Sequence, residues 1–242
     1  MFDVAIIGCG VIGAAAAFAL SQRECSVVVL EKENDVATGA TRANSAIIHA
    51  GYDPVPGTLM ARLNVRGAAL APQLCKQLDV PYQQIGSMVL AFGPEEEKTL
   101  HTLYARGRQN GVPGLELLSG DEVRAREPKV SGRVTAALWA PSAGIISPWE
   151  YALAFIETAV RNGAELRRSC GVNAIVRIEG GFRIETEQGP VEARRIVNAA
   201  GTHSDVIHNM VCEPAFRIEP NLGEYYLMDK SEGGRAHCVL FQ

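Results

Sequence analysis

Asp3-Val4-Ala5-Ile6-Ile7-Gly8-Cys9-Gly10-Val11-Ile12-Gly13, continued by Ala14 to Leu20 and then by Ser26-Val27-Val28-Val29-Leu30-Glu31, decides how this 242-residue chain begins to fold. Asp3 to Ile7 is short and almost wholly apolar, as expected of a parallel strand covered on both faces. The alanine-rich run from Ala14 has high helix propensity, and Ser26 to Leu30 reads as a second, valine-rich strand. Strand, glycine turn, helix and strand in that order make a parallel α/β unit.

The three glycines of the turn have separate mechanical roles. Gly8 makes the tight turn, Gly10 lets backbone approach a pyrophosphate, and Gly13 lets the helix pack closely on the strand. Ala17, one turn on, keeps the same helix face small. A dinucleotide's phosphates would lie at the helix N-terminus, facing unpaired N–H groups and the positive end of the helix dipole. Glu31 stands 18 residues after Gly13, at the end of the second strand. There its carboxylate can accept from a ribose 2′-hydroxyl and would repel a 2′-phosphate, which argues against NADP. A glycine-rich turn alone is weak evidence; the surrounding strand, helix and acidic residue give it weight. Gly8, Gly10, Val11, Ile12, Gly13, Glu31 and Lys32 are therefore cofactor-binding candidates, while Cys9 is read as simply small.

After Glu31 an ordinary NAD domain would proceed to its next helix and strand. Here Thr38-Gly39-Ala40-Thr41-Arg42-Ala43-Asn44-Ser45-Ala46-Ile47-Ile48-His49-Ala50-Gly51 is instead a small, polar loop. Its small residues permit close backbone approach to a ligand. Arg42, Asn44 and Ser45 supply donors suited to phosphate or to a flavin's polar edge.

With these residues, and with Arg195-Ile196-Val197-Asn198-Ala199-Ala200-Gly201, the chain resembles the flavin-dependent D-amino-acid oxidase superfamily. Within it the likeness is to the branch of glycerol-3-phosphate dehydrogenases and L-2-hydroxyglutarate oxidases. The resemblance implies FAD as cofactor, bound by a Rossmann-like α/β domain of the glutathione-reductase type with an antiparallel meander, beside an incomplete mixed α+β substrate lobe. It implies that the loop wraps the pyrophosphate and approaches the isoalloxazine through Thr38, Thr41, Arg42, Asn44, Ser45 and His49. It further places Ala199, Ala200 and Gly201 against the FAD and Val172 at the adenine, through its backbone. His49 is the candidate catalytic acid or base, with His203 and His237 weaker candidates, since imidazole exchanges protons near neutral pH.

Composition narrows the alternatives. The chain is 47% hydrophobic and 21% charged, ordinary for a globular protein, with a mean hydropathy of +0.04. A formal net charge of −4 with scattered basic residues offers no stripe for a nucleic-acid backbone. The longest apolar stretch, Val11 to Leu20, falls short of the roughly 20 residues needed to span a bilayer. Met1-Phe2-Asp3 is unlike a secretory leader. The expected location is cytoplasmic, with peripheral contact at the inner membrane face as an alternative. Six cysteines show neither a paired C-x-x-C motif nor zinc-site spacing, so no metal ligands are expected.

Residues 1–80 with 147–215 are assigned to the FAD-binding domain, and 81–146 with 216–242 to the substrate lobe. Thr58 to Leu78 has helical periodicity, with a kink or break expected near Ala71 because Pro72 follows. A strand is expected over Gln84 to Phe92 and a solvated helix over Pro94 to Asn110. Ser119 with Glu122 and Ser147 with Glu150 fit the capping box. Val172 to Ile178, Phe182 to Thr186 and the strand ending at Asn198 form a meander, and Gly223 to Met228 and Cys238 to Phe241 read as strands. Relatives continue for a comparable length, so a fragment or truncated product is expected.

Three readings follow. The first is an enzyme taking a hydride from a small hydroxylated acid or a polyol phosphate such as glycerol-3-phosphate. The second is an L-2-hydroxyglutarate oxidase or an amine or amino-acid oxidase. The third is a non-catalytic FAD-binding fragment or subunit. The electron acceptor stays open among oxygen, a quinone and a partner protein.

Overall fold

β1 (Phe2–Ile7) forms where the sequence is apolar on both faces, and Val4 to Ile7 are all buried. The chain turns at Gly8 into α1 (Val11–Leu20) and returns as β2 (Val27–Leu30), parallel to β1 with Val4 opposite Val27 and Ile7 opposite Leu30. A computed structural model describes the whole chain, Met1 to Gln242, and divides it into two units. Met1–Ser45 with Ser147–Gly223 is the first, and Ala46–Ile146 with Glu224–Gln242 the second. These boundaries differ from the expected 80 and 215. The reason lies in pairing, because the segment after Ser45 adds its strand to a sheet of the second unit.

That strand is β3 (Ile47–Ile48), followed by α2 (Leu59–Gln77), β4 (Tyr82–Gln83), β5 (Ser87–Ala91), α3 (Pro94–Asn110), β6 (Glu116–Ser119), α4 (Gly120–Arg126), β7 (Ala136–Ala140) and β8 (Gly144–Ile146). β3 and β4 both pair with β8, so residues 46–83 are tied to 144–146. α2 runs through Pro72 without the expected break. Its buried face of Ala61, Ala68, Ala71 and Cys75 supplies packing that outweighs the roughly 3 kcal/mol of an interior proline. The strand expected over Gln84 to Phe92 forms but begins only at Ser87, because Gly86, at φ +72°, bends the chain against the Trp139 ring. Ser119 and Glu122 make the expected capping box at α4, each side chain bonding the other's backbone N–H.

The chain then re-enters the first unit as α5 (Pro148–Arg161), β9 (Glu165–Arg167), β10 (Val172–Ile178), β11 (Gly181–Thr186), β12 (Val191–Asn198) and α6 (Ser204–Asn209). The sheet order is β10-β11-β12-β1-β2-β9, with β12 parallel to β1 and the antiparallel meander at one end. α1 and α5 pack together, with the Phe18 and Phe155 rings 5.2 Å apart. A core of Ala5, Ile7, Val28, Leu30, Ile175, Ile184 and Ile207 gathers parallel strands, meander and α6. The capping box expected at Ser147 is not made. Ser147 precedes α5, but its ψ of 103°, against 160° at Ser119, turns the hydroxyl away, and its Oγ is buried without a partner.

The last element, β13 (Val239–Phe241), joins the second unit in the sheet β13-β5-β7-β6. Gly223 to Met228, expected as a strand, pairs with nothing, and its Tyr226 and Leu227 side chains are almost fully exposed. No helix of the chain is long and apolar enough to cross a membrane.

Candidate functional site

The glycine turn is held from three sides within the first unit. Gly8 sits at φ +97°, where a Cβ would lie 2.5 Å from the carbonyl oxygen of Ala199. Gly13 packs so closely on the turn that a Cβ would lie 1.9 Å from the Gly8 oxygen. Gly10, the residue capping α1, has no side chain to satisfy the helix N–H groups. That task falls partly to Thr41, whose Oγ1 accepts from the Val11 N–H at 2.9 Å. The Ile12 and Gly13 N–H groups take no protein acceptor, no acidic side chain stands in the first helical turn, and Ile12 is exposed. The helix N-terminus is thus left as an electropositive cradle, while a Cβ on Gly8 or Gly13 would run into the backbone that holds the turn.

Glu31 is buried, and both of its oxygens are already engaged. Oε2 accepts from the Cys9 N–H at 2.7 Å and Oε1 from the Glu33 N–H at 2.9 Å. A carboxylate oxygen has a second lone pair, so each retains capacity for a ribose hydroxyl. Burial, with the Glu31 and Asp35 carboxylates adding to it, pushes the Cys9 thiol up to about 12, so Cys9 stays a neutral space-filler. Lys32 is exposed beside Glu33 at 3.5 Å. The Glu31 and Glu33 carbonyls accept from the Cys170 and Ser169 N–H groups, which brings the approach to Val172 alongside the end of β2.

The loop after β2 folds back on the turn. Ala37, at φ +58°, donates its N–H to the Cys9 carbonyl at 3.0 Å. Asn44, read from sequence as a donor to the ligand, gives its Nδ2 hydrogens to the Ala40 and Thr41 carbonyls and so braces the loop. Thr38 is half-buried, and Arg42 and Ser45 stand exposed around it. On the far side Ala199 and Ala200 close against Gly8, and Gly201 follows at φ +56°. Asn198 steadies that turn by donating to the Ser204 carbonyl and accepting from the Ala200 N–H. Ala37 and Asn198 were not among the candidates. A non-glycine residue at positive φ carries no sequence signal, and the bracing role of Asn198 needs the position of Ser204.

The three histidines separate. His49 belongs to the second unit, where it follows β3 and stacks on Phe241 with ring centroids 5.7 Å apart. Loss of water around the ring lowers its pKa below the ordinary 6.5, with Asp53 opposing. His237 is tied up structurally, its N–H and Nδ1 both on the buried Glu127 carboxylate. His203 lies exposed in the turn after Gly201, with Nδ1 against the Thr202 hydroxyl.

Residues 3–240 match the family described as FAD dependent oxidoreductase. The chain belongs to the FAD-dependent oxidoreductase family. Among curated relatives of this flavoprotein, a glycerol 3-phosphate dehydrogenase of Caloramator mitchellensis is 47% identical over the whole chain, which covers 50% of that protein. The human mitochondrial L-2-hydroxyglutarate dehydrogenase is 35% identical over 94% of the chain and 52% of its own length. In structure, the chain matches L-α-glycerophosphate oxidase of Mycoplasma pneumoniae, solved with FAD bound, at a TM-score of 0.81 and 30% identity, over 86% of this chain and 56% of that one. The chain thus spans about half the length of the curated relatives it matches.

The cradle tests simply. Thr41→Val keeps the side chain's volume and removes the acceptor of the Val11 N–H, at about 1 kcal/mol. Flavin affinity is expected to fall by up to about fivefold, with Thr41→Ser restoring it, as read by titration of the apoprotein with FAD.

Proposed function

We propose that the flavoprotein to which this chain belongs oxidises a small hydroxylated acid or polyol phosphate, with glycerol-3-phosphate first among candidates. The observation that carries this reading is 47% identity to a glycerol 3-phosphate dehydrogenase across all 242 residues, cofactor turn included. Gly8, Gly10, Val11, Ile12, Gly13 and Thr41 fit the FAD pyrophosphate, and Glu31, with Lys32 beside it, the ribose. Val172 lies toward the adenine, Thr38, Arg42 and Ser45 on the loop, and Ala199, Ala200 and Gly201 behind the turn. Bound there, FAD supplies a two-electron acceptor for a hydride from the substrate carbon.

His49 is the residue proposed to take the hydroxyl proton as the C–H bond breaks. A lowered pKa keeps its imidazole neutral, and so able to accept a proton, at neutral pH. kcat/KM is therefore expected to rise with pH through an apparent pKa below 6.5 and to level above it. His49→Gln should lower it by about a hundredfold and flatten that limb. A variant with unchanged pH dependence would exclude the role.

The reading is tested by loading the protein with FAD and adding glycerol-3-phosphate, L-2-hydroxyglutarate or glycine without oxygen. Bleaching of the flavin bands by glycerol-3-phosphate alone supports the first reading. Bleaching by L-2-hydroxyglutarate would move the assignment to the activity carried in the name of the human relative. Bleaching by glycine alone would select an amine oxidase, and full flavin uptake with no bleaching a binding subunit.

A further inference from the structure

β13 is three residues long and lies at the edge of its sheet, with Val239 opposite Ser87 and Phe241 opposite Val89 of β5. Pairing alone fixes the register of so short a strand weakly, and a slip of one residue turns every side chain to the opposite face. Register matters here because the two faces carry different loads. Cys238 and Leu240 pack into the apolar cluster of Met88, Leu118 and Val134. Phe241, on the other face, stacks on the His49 imidazole, with ring centroids 5.7 Å apart and planes 25° from parallel. His49 is otherwise exposed, so a ring laid on one of its faces orients it and takes water from it while leaving it reachable.

A carboxylate from far along the chain fixes where β13 begins. Glu127 closes α4 and is only 2% exposed. Its two oxygens accept from the His237 N–H at 2.8 and 3.1 Å, Oε2 lies 3.2 Å from the His237 Nδ1, and the Cys238 thiol donates to the same group. A buried carboxylate stripped of its donors is costly, so His237 and Cys238 are held at this one place. From Cys238 the extended chain reaches Phe241 in about 10 Å.

We propose that Phe241 and Glu127 are positioning residues for His49: the Phe241 ring orients and partly dries the imidazole, and the Glu127 carboxylate sets the register that puts that ring there. The assignment rests on His49 as the group that takes the substrate's hydroxyl proton. Loss of water is the larger influence on His49 and holds its pKa below 6.5, and an aromatic face laid on the imidazole is one source of that loss. Asp53, on the same loop, acts in the opposite sense. The segments packed around β3 bring no charge: β8 has no ionisable side chain, and on the buried face of α2 the Cys75 thiol is pushed up by burial and stays neutral.

The test uses the 242-residue chain with FAD added. The His49 ring signal, identified by its loss in His49→Gln, is titrated by NMR beside the pH profile of kcat/KM with glycerol-3-phosphate. Phe241→Ala should raise the His49 pKa toward 6.5 and carry the rising limb of kcat/KM to higher pH with it. The plateau should fall about tenfold as the ring loses its orientation. Phe241→Tyr, which keeps an aromatic face, should restore all three. Phe241→Leu, which keeps apolar volume in the strand, should shift the pKa in the same sense and decides the matter if alanine loosens β13. The Val239 N–H, bonded to the Gly86 carbonyl at 3.1 Å, should stay protected from exchange in the Phe241 variants and lose protection in Glu127→Ala. Glu127→Ala should also raise the His49 pKa, and Glu127→Gln, which keeps an acceptor for the His237 N–H, should recover most of the difference. Protected amides in β7 report an intact sheet throughout. An unmoved His49 pKa in Phe241→Leu or Glu127→Ala, over that intact sheet, overturns the proposal. A pKa that moves while the kcat/KM limb stays in place upholds the placement of the ring and removes His49 as the base instead.

Discussion

Gly13→Ala is expected to leave a chain that no longer retains FAD. The added methyl would sit 1.9 Å from the Gly8 carbonyl oxygen and 3.3 Å from the Ala199 Cβ, so it meets backbone on one side and the β12 turn on the other. No flexible side chain can move aside. Relief requires α1 to lift from the turn, which displaces the N–H groups of Val11, Ile12 and Gly13 from the place where phosphate would lie. Overpacking of this kind typically takes about 1 to 3 kcal/mol, and an immovable backbone partner puts this site at the upper end. Each 1.4 kcal/mol is about tenfold in affinity, so flavin binding should weaken by two orders of magnitude or more. Apoprotein titration with FAD and thermal unfolding measure the two parts. Gly132→Ala, in the second unit, is the matched control, because nothing lies within 4 Å of its added carbon. Equal FAD affinity in both variants would refute the cradle.

What the sequence made legible, and what it hid, divide along the distance over which the determinants act. β1, α1 and β2 were readable because an apolar run, a glycine turn and an alanine-rich helix are decided within about thirty residues. The meander was readable because its turns fall at Gly180-Gly181 and Gly189-Pro190. The same local reasoning failed where a distant partner decides. Ser147 and Glu150 have the spacing of a capping box, yet the chain direction into α5 turns the hydroxyl away. Pro72 marks a break that buried packing along α2 overrides. Gly223 to Met228 has the residues of a strand but no neighbouring strand to pair with. Thr41 reaches the Val11 N–H from thirty residues away. The sequence marked it as one small polar loop residue among several, and only its position makes it the cap of α1. The division after Ser45 was hidden for the same reason, since it depends on β3 finding β8.

Glu31 carries the last of these lessons, because its sequence role and its structural role differ in what they predict. As a ribose acceptor alone, its loss should weaken flavin binding and leave the apoprotein unchanged. The structure adds that its two oxygens hold the Cys9 and Glu33 N–H groups, one inside the glycine turn and one just after β2. Glu31→Ala strips both buried donors of their acceptor, and with charge-assisted bonds lost the apoprotein should fall by about 3 kcal/mol. Glu31→Gln keeps one accepting oxygen but aims an amide N–H₂ at the other donor, so it should lose about half as much. Urea unfolding of the two apoproteins gives the stability, and FAD titration gives the affinity. If both variants unfold with the wild-type midpoint and only FAD affinity drops, Glu31 serves the ribose alone. A shift of the midpoint in both, larger for alanine, shows that the carboxylate builds the turn before any nucleotide arrives.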